Sequence, residues 1–81
     1  MMTAAQAKEK TKERITQAAK EFITNEVERA VDTAIGFGQF SCTVKHTHAI
    51  SFQEAVVELL EKEGFTVITE ERYYDIGWED N

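Results

Sequence analysis

The chain has no proline and only four glycines among its 81 residues. Residues 3–35 contain neither, so nothing in that stretch removes a backbone amide or invites a left-handed turn. There is a single cysteine, Cys42. One thiol excludes an internal disulfide and a Cys-rich zinc site, and it fits an intracellular, unstapled chain. No apolar run approaches the ~20 residues that span a bilayer. The opening Met-Met-Thr-Ala-Ala-Gln-Ala-Lys lacks the apolar centre of a secretory signal. Basic residues are scarce, nine against fifteen acidic, for a formal net charge of −6. That balance disfavours duplex nucleic acid, whose binding needs Lys and Arg to replace phosphate counterions.

What is present suffices for one small core. At 42% hydrophobic and 10% aromatic residues the chain is too apolar for a disordered tail. Its length argues for one domain, and small domains often add burial by self-association. The charge is polarised. Residues 1–20 hold five bases and two acids, while residues 46–81 hold two bases and nine acids. A basic first segment and an acidic second half therefore share one chain.

Ala, Lys, Glu and Gln dominate residues 3–35, and all are good helix formers. From Ile15 the apolar positions Ala18, Ala19, Phe22, Ile23, Val27, Ala30, Val31, Ala34 and Ile35 recur at gaps of three and four, one stripe of a helix. Gly36 and Gly38 are expected to stop it with positive φ. Before Ile15 only Met and Ala are apolar, so residues 1–14 read as a basic helical extension, exposed or held by a partner. Residues 15–81 read as one domain. Gln39 to Lys45 alternate, placing Phe40, Cys42 and Val44 on a buried face of a strand. His46 to Ile50 then read as a loop.

Ser51 followed by Glu54 predicts a capping box opening a second helix, and Gly64 with Phe65 predicts a Schellman ending. Phe52, Ala55, Val56, Leu59 and Leu60 would be its buried stripe. Phe65 to Thr69 and Tyr73 to Trp78 read as a hairpin with Tyr74, Ile76 and Trp78 facing inward. The expected fold is α+β in the order α-β-α-β-β, a small three-stranded mixed sheet with two helices on one face. Strand order stays open.

The entry Gly-Gln-Phe-Ser-Cys-Thr-Val (38–44), the ending Leu-Leu-Glu-Lys-Glu-Gly-Phe-Thr-Val (59–67) and the closing Tyr-Tyr-Asp-Ile-Gly-Trp (73–78) resemble a broad group of small bacteriophage proteins. The resemblance spans about residues 15–78 as an order of elements. It implies a phage-type α+β fold and carries no functional residue. The basic segment before Ile15 and the His-Thr-His loop depart from the pattern.

Catalytic and metal chemistry find little to build on. His46 and His48 with Cys42 would give a zinc ion three ligands and no recognisable fourth. Cys42 alternates with Phe40 and Val44, the pattern of a buried, inert thiol. The paired carboxylates among Glu58, Glu61, Glu63, Glu70 and Glu71 fall on a solvated helix face and a turn. Gly36-Phe-Gly38 follows a helix and lacks the Lys of a phosphate loop. No enzyme and no cofactor is expected. The candidate binding residues are instead Arg72, Tyr73 and Phe37, able to stack on a base or anchor a protein, and the bases Lys8, Lys12 and Arg14 with Lys10 and Lys20. A protein partner or self-association is expected, a nucleotide ligand is possible in principle, and a membrane partner is disfavoured because no large apolar residues oppose the bases. The expected function is that of a non-enzymatic phage-type accessory protein that occupies a host protein or sequesters a nucleotide signal. The alternative is a virion component, a capsid-decorating or connector subunit.

Overall fold

A computed structural model describes residues 1–79. Helix α1 (Ala4–Phe22) passes through a π turn (Ile23–Val27) into helix α2 (Glu28–Gly36). Strand β1 (Ser41–Lys45), helix α3 (Ile50–Lys62), strand β2 (Thr66–Thr69) and strand β3 (Tyr73–Gly77) follow. The class is α+β, helical in the first half and strand-rich in the second.

Helix α1 begins with a capping box that the sequence reading missed. Thr3 Oγ1 accepts the Gln6 amide, and the Gln6 side chain accepts the Thr3 amide in return. Backbone conformation stays helical across the π turn, so α1, the turn and α2 form one rod. The turn has a packing consequence. Ala19 and Val27, both fully buried, lie eight residues apart. In an uninterrupted α-helix eight residues overshoot two turns by about 80°. The wider i→i+5 turn absorbs the surplus and returns both residues to one face.

The rod ends in a Schellman arrangement: Gln39 N–H donates to the Ala34 carbonyl and Gly38 N–H to that of Ile35. Gly38 has φ 71°, whereas Gly36 is an ordinary helical residue. The stop therefore rests on one glycine. Ile35, expected in the buried stripe, is 57% exposed.

Helix α3 carries its expected buried stripe on Val56 and Leu60, with Phe52, Ala55 and Leu59 packed around them. Its start differs from expectation. Ala49 is the N-cap without a side-chain bond, which places Ser51 inside the first turn, so the Ser51–Glu54 box does not form. At the far end Gly64 takes φ 92°, and Phe65 N–H reaches the Leu60 carbonyl as expected.

The sheet order is β1-β3-β2, and both pairings are antiparallel. The mixed sheet is thus corrected. β1 and β2 run in the same direction, as a crossover requires, but β3 lies between them and no parallel pair is bonded. Tyr74 and Ile76 are fully buried and meet Val44, Ala19, Val27, Val56 and Leu60 in one core, so the helical layer covers one face. Tyr73, Asp75, Thr43, Lys45 and Ile68 sit on the other, exposed face. Two strand-end residues depart from expectation: Phe40 lies outside β1 and is 57% exposed, and Trp78, past the end of β3, is half-buried edge-on to Phe65.

Candidate functional site

His46 comes just after β1, where the sequence reading expected a loop residue, yet it is buried. Its ring stacks on Tyr74, with centroids 4.0 Å apart and planes at 20°. Nδ1 accepts the His48 backbone N–H at 3.1 Å, so the ring proton sits on Nε2 and is donated to the Glu70 carbonyl at 3.0 Å. Both nitrogens are committed to holding the β2–β3 turn against the segment leaving β1.

His48 continues the cluster. Its Nδ1 lies 2.8 Å from the Tyr74 hydroxyl, Phe22 meets its ring edge-on, and its carbonyl accepts the Gln53 side-chain amide of α3. Burial, and then the neighbouring His46 ring, hold the His48 imidazole below its ordinary pKa. Burial pushes the Tyr74 phenol up to about 12. The cluster is hydrogen-bonded throughout, an arrangement that joins four elements.

Cys42 is half-buried on β1. Burial first, then the Asp75 carboxylate, raises its pKa, which keeps the thiol protonated and opposes nucleophilic use. Among the described residues no group of three His, Cys, Asp or Glu side chains is arranged to hold a metal ion. No helix among them is long and apolar enough to cross a membrane.

The six candidate residues do not form one site. Lys45 pairs with Tyr73 at one end of the β1–β3 ladder and Ser41 with Gly77 at the other. Arg72 and Tyr73 therefore lie a strand's length, roughly 13 Å, from the end that Phe37 precedes. Tyr73 is 39% exposed on the open sheet face, and Phe37 is 78% exposed beyond α2. Lys8, Lys12 and Arg14 sit on α1, where every residue from 1 to 14 is exposed.

Two of the concave surfaces bear on binding. Arg72 shares a shallow cleft with Lys45, His48 and Thr47, floored by Phe22 and flanked by Glu26. Lys45 and Phe22 were not among the sequence candidates, because only the ladder register and the rod bring them to Arg72. A larger groove runs between the rod and α3, lined by Ile23, Val27, Val31, Leu59 and Phe65 and rimmed by Glu28, Asp32 and Glu63. No protein-family model, curated protein or solved structure matches the chain.

Proposed function

We propose that this chain is a non-enzymatic, phage-type accessory binding protein, oligomeric in use, that acts by occupying a host protein. The observation that carries this reading is the long exposed arm. The rod extends residues 4–14 about 16 Å beyond Ile15, the first half-buried residue, with Lys8, Lys10, Lys12 and Arg14 all on its surface. A helix so placed contributes little to the fold, and its basic charge suits an acidic partner surface. The engaged nitrogens of His46 and the protonated thiol of Cys42 agree with a binding role.

The cleft of Lys45, Arg72 and Phe22 supports the nucleotide form of the reading, with two cations near an aromatic floor. The elongated shape, 53 × 23 × 20 Å, suits the virion reading, in which rods pack side by side.

Native mass spectrometry after exposure to bacterial lysate tests the proposal. A complex with a defined host protein or a retained nucleotide is expected. A bare monomer holding neither would remove the binding reading, and stoichiometric presence in purified particles would replace it with the virion one.

A further inference from the structure

The arm and the outer face of α3 match one another. On α1, Lys8 and Lys12 are four residues apart and share a stripe with Ala5 and Ile15. On α3, Glu54 and Glu58 are also four apart, and Glu61 continues the row. Ile50, 72% exposed, and the half-buried Val57 lie in the same shallow surface as these carboxylates. Each pair of like charges spans about 6 Å along its helix, so two ion pairs can form at once. The arm has small Ala residues at 4, 5 and 7, which permit close approach of a second helix.

The two surfaces of one copy do not reach each other. α1 packs on the inner side of α3, where Phe22 meets Phe52, and the helix continues through the arm without a break. The carboxylates face away from that contact. The matching surface must therefore come from another molecule.

We infer that a second copy of this chain docks its arm on the outer face of α3, with Lys8 and Lys12 against Glu54 and Glu58, and that two copies exchange arms about a two-fold axis. The inference rests on the oligomeric binding reading and specifies one of its interfaces. Docking relieves the repulsion within each like-charged row and covers Ile50 and Val57. A reciprocal exchange makes both contacts at once and closes the assembly at two chains.

Sedimentation equilibrium of the full chain over a concentration series tests it. At ~50 mM salt the mass should rise above the 9.2 kDa of one chain, and at ~0.5 M salt it should fall back. Lys8→Glu with Lys12→Glu should weaken self-association at least roughly tenfold, as should Glu54→Lys with Glu58→Lys. Mixing the two reversed variants should restore it, because every arm then finds an opposite charge. All four positions are exposed, and circular dichroism checks folding. Should a reversal disturb the fold, the neutral pairs Lys8→Gln with Lys12→Gln and Glu54→Gln with Glu58→Gln should show the same weakening. One-chain mass at every concentration, association indifferent to the reversals, or a mixture that stays monomeric would each overturn the inference. A monomer that still captures a host protein would leave the broader binding reading standing.

Discussion

Tyr74 carries three duties in one side chain: it fills the core, stacks on His46 and holds His48 through its hydroxyl. Replacing it with Phe keeps the first two and leaves His48 Nδ1 without its partner. A loss of about 1 kcal/mol in chemical denaturation is expected. His46→Phe should cost more, about 1–3 kcal/mol, because the Glu70 carbonyl and the His48 amide both lose their partners. A pH effect follows from His48. Its pKa in the fold lies below the ordinary ~6.5, so the unfolded chain binds a proton that the native state resists. That contribution is complete above about pH 6.5 and is lost as pH falls toward the native value. Thermal melts should show the midpoint dropping on acidification below that pH, with a shallower drop in His48→Asn. None of this was legible from His-Thr-His alone. The partner hydroxyl lies 26 residues away, and burial just past a strand end depends on what stacks there.

At the level of elements, local signals with local causes were legible. Gly64 follows a helix whose last carbonyls need a left-handed residue, and it takes one. Gly64→Ala should therefore destabilise by about 1 kcal/mol in urea unfolding. Gly36→Ala should do the opposite, gaining roughly 0.5–1 kcal/mol, since that residue is helical and its added methyl meets no atom within 4 Å. Signals shared by competing positions misled. Ser51 and Glu54 have the spacing of a capping box, but Ile50 already belongs to the helix, and Thr3 with Gln6 forms the box instead. The π turn left no mark, because gaps of three and four occur on both sides of it. Sheet order likewise depends on which distant strand finds β3, a choice that alternation cannot encode. Of the candidate residues, Arg72 was recognised by type, while its neighbours Lys45 and Phe22 emerged only from the register and the rod.

Across the whole molecule, stability and surface are separable. Core residues begin at Ala19 and end at Ile76, while everything up to residue 14 is exposed. Removing residues 1–12 should change unfolding free energy by no more than about 0.5 kcal/mol, measured by denaturant titration. If the arm serves binding, the same deletion should abolish self-association. That contrast separates a device for contact from a part of the scaffold.

The central position of β3 has a consequence for biosynthesis. Both outer strands are made first, and each waits for the later-translated β3. Until the codons for residues 73–77 are read, β1 and β2 have no backbone partners, and the face of α3 carrying Val56 and Leu60 lacks Tyr74 and Ile76. The nascent chain can assemble its rod early, but its sheet forms only after β3 has been made. A premature stop before residue 73 would therefore yield helices without a sheet, sticky and open to proteases.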